Sequence, residues 1–158
     1  SFLNHRIMAA EEVYDIRVKS SNLKGIDIPR KLSPTMIDDY PILAVAASMA
    51  NGKTYFKGIN ELRFKESDRF AGILNLLEKN GVRVEYKKDT IIIYGKCELK
   101  KGGIKIETNL DHRMAMSALI MGLVSKKEVK IDNSDTIKTS FPSFYNVMNK
   151  IGAKLSKK

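Results

Sequence analysis

The chain has 158 residues, of which 43% are hydrophobic and 29% are charged, and its formal net charge is +10. This balance is typical of a soluble globular protein with a real core and excludes a disordered chain. The single cysteine excludes an internal disulfide, and no apolar run approaches the roughly twenty residues that a membrane helix needs. We therefore expect a cytoplasmic protein whose positive charge favours acidic partners: nucleic acid, anionic lipid or a phosphorylated small molecule.

The first part of the chain combines strand patterns with a strongly apolar helix. Apolar and polar residues alternate over 13–18 and over 23–28, which predicts two half-buried strands. The segment 42–50 is apolar on nearly every face, and Asp38 or Asp39 is placed to cap it as a helix. A helix without a polar face is expected to be buried, here between sheets.

A densely charged segment, 60–69, follows the next predicted strand at 53–57. It holds three cations and three carboxylates: Arg63, Lys65, Arg69, Glu61, Glu66 and Asp68. Ser67 or Asp68 can cap the helix that follows, which ends at Asn80 and Gly81. Such charges beside a helix start suggest a site that binds an anion and moves a proton. A solvated, salt-bridged connection is the alternative, and it is the more common reading of a charge run.

The remaining elements repeat the same order. A hairpin is predicted over 82–86 and 90–94, and a strand over 104–108. Asp111 can cap a second helix that is apolar on most faces. After a strand at 129–131 and a polar loop at 132–139, a helix begins near Pro142 and closes at Gly152.

The two halves are related by a constant offset in sequence. Asp38 precedes Lys65 by as many positions as Asp111 precedes Lys138. This register predicts an α/β (α+β) fold of repeated βαβαββ units, at about 20–95 and 102–158, with buried helices flanked by mixed sheets. Only 153–155 is left to begin the last strand of the second unit, so we expect a partial domain.

The repeat brings the charged loops to equivalent ends of the units. Helix starts favour anions through their free N–H groups and dipole, and Lys65, Arg69, Arg113 and Lys138 would add side chains suited to phosphate and carboxylate. In such surroundings Asp38 and Glu66 could accept or donate protons. With only two histidines and one cysteine, the chain lacks the usual ligands of a histidine/cysteine metal site, and no metal is expected. Each of these candidate site residues could instead have a purely structural role. For Asp111 we favour that alternative, as a helix cap.

Four segments in order resemble the later motifs of the EPSP synthase (3-phosphoshikimate 1-carboxyvinyltransferase) family. They are 38–47, 61–69, 111–116 and 138–142. Their order and spacing are similar to those of the family, and the resemblance covers the chain from about Val13 onward. The resemblance implies the shikimate pathway of aromatic amino-acid biosynthesis and the enolpyruvyl transferase fold.

The implied reaction transfers the enolpyruvyl group of phosphoenolpyruvate to the 5-hydroxyl of shikimate 3-phosphate by addition and elimination, with release of phosphate and without a cofactor. By similarity, Asp38 accepts the hydroxyl proton, Lys65 contacts shikimate 3-phosphate, and Glu66 handles the proton of the methylene carbon. Arg69, Arg113 and Lys138 would bind phosphoenolpyruvate, and His112 would support them. The roles of Glu61 and Arg63 stay open.

The family enzyme has two domains of three units each, with its active site in the cleft between them. The chain would thus be a C-terminal portion, lacking the N-terminal part of the enzyme, and we expect it to be inactive alone. Two alternatives remain: a relative acting on UDP-N-acetylglucosamine, and a basic nucleic-acid-binding module. The aromatic residues argue against the module, because they lie on helical apolar stripes.

Overall fold

The computed structural model describes residues 1–157. Its strands are β1 (Phe2–Met8), β2 (Glu11–Ile16), β3 (Gly52–Lys57), β4 (Arg83–Lys87), β5 (Thr90–Gly95), β6 (Ile104–Ile106) and β7 (Val129–Ile131). Its helices are α1 (Ser33–Met36), α2 (Tyr40–Met49), α3 (Arg69–Lys79), α4 (His112–Leu123), α5 (Ile137–Ser140) and α6 (Phe144–Lys150). This mixture of helices and small sheets confirms the predicted fold class.

The largest sheet is antiparallel, with the order β3-β5-β4. Residues of β4 and β5 face each other from Arg83 with Tyr94 to Lys87 with Thr90, as the predicted hairpin requires. Strand β3 covers the other edge of β5 from Gly52 to Lys57. The central strand therefore buries Ile91 and Ile93 beneath α2 and α3.

Parallel pairing occurs in both halves of the chain. Strands β6 and β7, which precede and follow α4 in the sequence, pair with each other in parallel. In the first half, Lys24 and Asp27 form isolated parallel bridges with Asn51 and Tyr55. The predicted strand at 23–28 is therefore wrong as a regular strand. Its backbone follows β3 only at these points, and Pro29, which has no N–H to donate, leads into a 3₁₀ turn.

The two apolar helices α2 and α4 pack against each other, as their patterns predict. Helix α3 lies beside both and buries one face. The core side chains with no exposed area include Tyr40, Ala44, Phe56, Phe70, Ile73, Leu77 and Ala118. The two apolar helices are not buried on every face, because Ile42 on α2 and Leu123 on α4 are each more than 40% exposed.

The starts of α3 and α4 are set by aspartates, as predicted. Asp68 accepts a hydrogen bond from the Ala71 N–H at 2.9 Å. Asp111 accepts hydrogen bonds from the N–H groups of Arg113 and Met114 at 2.9 and 3.3 Å. Side-chain oxygens thereby satisfy N–H groups that have no partner inside the helix.

The predicted cap of α2 is wrong. A 3₁₀ turn, Ile37–Asp39, runs directly into the helix, and no side chain caps it. Asp39 has a helical backbone (φ −95°, ψ −11°), whereas a capping side chain needs an extended one. Asp38 lies one residue earlier, and Arg69 binds its carboxylate.

The ends of the chain differ from the predictions. Strand β1 forms an exposed hairpin with β2, which begins two residues before the predicted strand at 13–18. The polar loop at 132–139 contains the start of α5. The last predicted strand, 153–155, is wrong: Asn149 accepts from the Leu155 N–H at 2.8 Å and donates to its carbonyl at 2.9 Å, which occupies the backbone groups that a ladder would use.

Within residues 1–157 no helix has the length and hydropathy needed to cross a bilayer. The division into units at about 20–95 and 102–158 stays a prediction. What the structure does show is that, in each half of the chain, the segments before and after an apolar helix pair in parallel.

Candidate functional site

Three segments that are distant in the sequence meet at one end of the helix layer. They are the 3₁₀ turn Ile37–Asp39, the charged segment that leads into α3, and the start of α4. Side chains from all three are joined by ion pairs. This charged cluster contains five of the seven predicted site residues: Asp38, Lys65, Glu66, Arg69 and Arg113.

The centre of the cluster is a buried ion pair between Arg69 and Asp111. Neither side chain has exposed area, and Arg69 Nε lies 2.8 Å from Asp111 Oδ2. The Ser67 hydroxyl donates to the same oxygen at 2.9 Å. Burial by itself would raise the pKa of Asp111, but its hydrogen bonds and the charge of Arg69 outweigh burial and lower the pKa. Burial likewise opposes the charge of Arg69, and Asp111 keeps the pKa of the guanidinium raised.

Both terminal nitrogens of Arg69 also donate to carboxylates. Nη1 donates to Asp38 Oδ1 at 2.8 Å, and Nη2 donates to Glu66. Asp38 and Glu66 are about half exposed, with 46% and 53% of their side-chain areas accessible, whereas Arg69 is fully covered. An external anion therefore reaches Arg69 only by replacing one of these carboxylates.

Lys65 belongs to the same cluster and is held by two carboxylates. Its Nζ atom lies 2.6 Å from Glu61 Oε1 and 3.6 Å from Asp38 Oδ1. The hydrogen bond to Glu61 is the main reason that the pKa of Lys65 is raised. Glu61, whose role the sequence left open, thus compensates the charge of the predicted substrate-binding lysine.

Arg113 links the start of α4 to the turn before α2. Its Nη1 donates to the backbone carbonyl of Asp38 at 2.9 Å and lies 3.5 Å from Asp39 Oδ1. A third of its side chain stays exposed (36%), so it can contact a ligand without displacing a partner.

A cleft of about 320 Å³ opens beside Asp38 and Arg113. Its other walls are apolar and come from α2, α4 and the segment after α5. They include Ile42, Met116, Phe141 and Phe144. The cleft therefore offers a carboxylate and a guanidinium at the edge of an apolar wall, which suits a small anion with a carbon skeleton.

The other two predicted site residues do not join the charged cluster. Lys138 is 57% exposed and pairs with Asp135 at 2.7 Å. His112 occupies the first position of α4 and is half-buried. Among residues 1–157 its side chain makes no hydrogen bond or ion pair. His112 lies on α4, which lines the cleft, and Lys138 lies on α5, which directly precedes the cleft residue Phe141.

Some residues of the cluster were missed or underrated by sequence reasoning. Asp111 was interpreted as a helix cap, and it is one, but it is also the buried partner of Arg69, which is 42 positions away. No local pattern signals such a pairing. Arg63 stacks on the Phe70 ring, with 3.8 Å from its Cζ to the ring centroid, and lies 3.6 Å from Asp68. It therefore has a structural contact at the start of α3.

Comparison with known proteins shows which family the chain resembles. The family model described as EPSP synthase (3-phosphoshikimate 1-carboxyvinyltransferase) matches residues 4–148. A 3-phosphoshikimate 1-carboxyvinyltransferase of Paramagnetospirillum magneticum is 48% identical over 98% of the chain, and one of Bartonella quintana is 50% identical over 98%. The chain spans about 35% of the length of these relatives.

Solved structures show the same fold. An EPSP synthase of Acinetobacter baumannii superposes with a TM-score of 0.91 at 38% identity, covering 97% of the chain and 36% of that structure. The enolpyruvyl transferase NikO of Streptomyces tendae superposes with a TM-score of 0.62 at 21% identity, over 96% of the chain and 33% of that structure, which supports the fold alone. The matched motifs, the sequence relatives and the common fold together show that the chain belongs to the EPSP synthase family.

Proposed function

We propose that the chain provides part of the active site for enolpyruvyl transfer from phosphoenolpyruvate to the 5-hydroxyl of shikimate 3-phosphate. The observation that carries the proposal is the charged cluster, in which the half-exposed carboxylates of Asp38 and Glu66 lie beside three cations. Asp38 and Arg113 of this cluster line an open cleft. Both substrates carry phosphate and carboxylate groups, which Arg and Lys bind well. Family membership gives the reaction its identity.

In the addition step, the 5-hydroxyl oxygen bonds to C2 of phosphoenolpyruvate while C3 gains a proton. Asp38 accepts the hydroxyl proton, and Glu66 delivers the proton to C3. Asp38 lines the cleft, and Glu66 is about half exposed. The product of this step is a tetrahedral adduct that still carries phosphate.

In the elimination step, the carbon–oxygen bond to phosphate breaks and Glu66 removes a proton from the new methyl group. The departing phosphate takes up the proton that Asp38 accepted. Arg113 and Lys138 bind the carboxylate and phosphate of phosphoenolpyruvate, with support from His112. Arg69 joins them when the substrate carboxylate replaces Asp38 or Glu66 on its guanidinium. Lys65 contacts shikimate 3-phosphate and the reacting oxygens, in exchange for part of its contact with Glu61.

The cluster by itself is not a complete site. Its three cations are matched by carboxylates, so further cations are needed to hold both multiply charged substrates at once for the transfer. We propose that these come from the other part of the enzyme, and that the chain alone does not turn over substrate. We also propose a cytoplasmic location, as for a biosynthetic enzyme acting on soluble substrates.

Isothermal calorimetry with shikimate 3-phosphate tests the proposal. We expect saturable binding that weakens at least about tenfold when Lys65→Gln removes one charge contact. Lys87→Gln, an exposed lysine at the end of β4, is the matched control and should bind as the parent does. Equal loss in both variants, or binding of oligonucleotides alone, would refute the assignment. A phosphate-release assay on the chain alone should show no turnover.

A further inference from the structure

Two lysine pairs that are far apart in the sequence lie side by side in the fold. The Lys100 N–H donates to the Val124 carbonyl at 2.8 Å, and the Lys126 N–H donates to the Lys100 carbonyl at 2.8 Å. These bonds extend the parallel pairing of β6 and β7 toward the end of α4. They hold Lys100 and Lys101 next to Lys126 and Lys127.

The lysine pairs line a cavity of about 540 Å³ near the C-terminal ends of α3 and α4. The charged cluster lies at the opposite ends of these helices, so the two sites are separate. The cationic side chains of the wall are Arg83, Lys96, Lys100, Lys101, Lys126 and Lys127. The wall has a single carboxylate, Glu98.

The positive charge of this cavity is poorly compensated. Arg83 pairs with Glu85 at 2.5 Å, but within residues 1–157 none of the five lysines has a carboxylate within 4.0 Å. The ends of α3 and α4 each contribute only about half a negative charge. With Glu98 included, roughly three positive charges remain without a counter-charge. Solubility does not require cations to be gathered around one cavity.

The burial of Lys100 is further evidence that the cavity lacks a full counter-charge within residues 1–157. Lys100 is 6% exposed, and its ammonium donates to the Lys96 carbonyl at 2.8 Å. Burial lowers the pKa of Lys100. Covered lysines usually have a charged partner, and an anion in the cavity would supply one.

We propose that this cavity binds a compact polyanion of the polyphosphate class, with two or three linked phosphate groups. Lys100 would contact the phosphate at the base of the cavity, and the exposed Lys101, Lys126 and Lys127 would contact the others. A concave site of this volume favours a small ligand over an extended nucleic-acid backbone. The proposal does not depend on the proposed function.

Calorimetric titration of the full chain with tripolyphosphate tests the proposal. We expect saturable binding that weakens at least about tenfold in the double variant Lys126→Gln/Lys127→Gln, since both side chains would contact phosphate. The double variant Lys87→Gln/Lys88→Gln removes the same charge at the exposed turn between β4 and β5 and should bind as the parent does. Arg113→Gln should also leave binding unchanged, because Arg113 belongs to the other site.

The proposal would be overturned by absence of saturable binding, by equal loss in both double variants, or by loss in Arg113→Gln alone, which would place the anion at the charged cluster. Binding of a single-stranded oligonucleotide without binding of tripolyphosphate would also overturn it, in favour of a nucleic-acid surface. Circular dichroism of each variant checks that the fold is retained.

Discussion

Arg69 at the start of α3 and Asp111 at the start of α4 form an ion pair in which neither side chain is exposed. Asp111 simultaneously caps α4, so one carboxylate ties the backbone of one helix to the side chain of another. The pair fixes where the two helix starts lie relative to each other. Arg69 also holds Asp38 and Glu66, so the same contact positions the carboxylates that are proposed to move protons.

Replacement of Asp111 by Asn should destabilise the fold strongly. The amide keeps an acceptor for the cap but leaves the buried guanidinium with less compensating charge, and breaking such a pair costs about 3 kcal/mol or more. Urea unfolding followed by circular dichroism measures the loss. Asp135→Asn breaks the exposed pair with Lys138 and should leave the midpoint almost unchanged. Similar midpoints for the two variants would contradict the structural role of the Arg69–Asp111 pair.

Stability should fall in acid because of the same carboxylate. The pKa of Asp111 is lower in the folded chain than its ordinary value of about 3.9, so near and below that value the unfolded chain binds more protons. Its contribution is therefore fully present above the ordinary pKa and is lost as the pH falls through the folded pKa. Unfolding free energies measured from pH 7 to pH 3 should show this decline. The decline should be shallower in Asp111→Asn, and an equal slope would argue against the assignment.

Gly95→Ala should destabilise the packing of β5 against α2. A Cβ atom at Gly95 would lie 2.1 Å from the Ala47 carbonyl oxygen and 2.3 Å from that of Ala50, both of which are backbone atoms. Relief requires the strand and the helix to move apart, at about 1–3 kcal/mol. Gly122→Ala is the control, because its nearest neighbour lies at 3.5 Å and alanine favours a helix by about 0.5–1 kcal/mol. Thermal unfolding should move the two variants in opposite directions.

Glu61→Gln should strengthen the binding of shikimate 3-phosphate. Glu61 holds Lys65 at 2.6 Å and competes with an anionic ligand for its ammonium. A partly exposed pair of this kind is worth less than about 1 kcal/mol, so the expected gain in affinity is about two- to fivefold. Glu78→Gln removes an equal charge near the end of α3, away from the cluster, and should have no effect. Weaker binding by Glu61→Gln in calorimetry would show that Glu61 itself supports the ligand.

Features that depend on neighbouring residues could be predicted from the sequence. The caps at Asp68 and Asp111, the apolar face of α3 and the β4–β5 hairpin follow from contacts within a few positions, and the structure confirms them. The predicted cap at Asp38 or Asp39 failed because a 3₁₀ turn replaced the extended residue that a cap requires. The strand predicted at 153–155 failed because Asn149 took the backbone groups of Leu155.

The charged segment 60–69 shows where the limit lies. Its sequence alone determined the helix start, the density of charge and the resemblance to a family. Only the tertiary structure decided that Arg69 is buried while Lys65 and Glu66 stay partly accessible. It also decided that the buried partner of Arg69 is Asp111. The physical reason is that caps and periodicity act over one or two turns of chain. Ion pairs between distant segments form only once the packing of α2, α3 and α4 has placed them together.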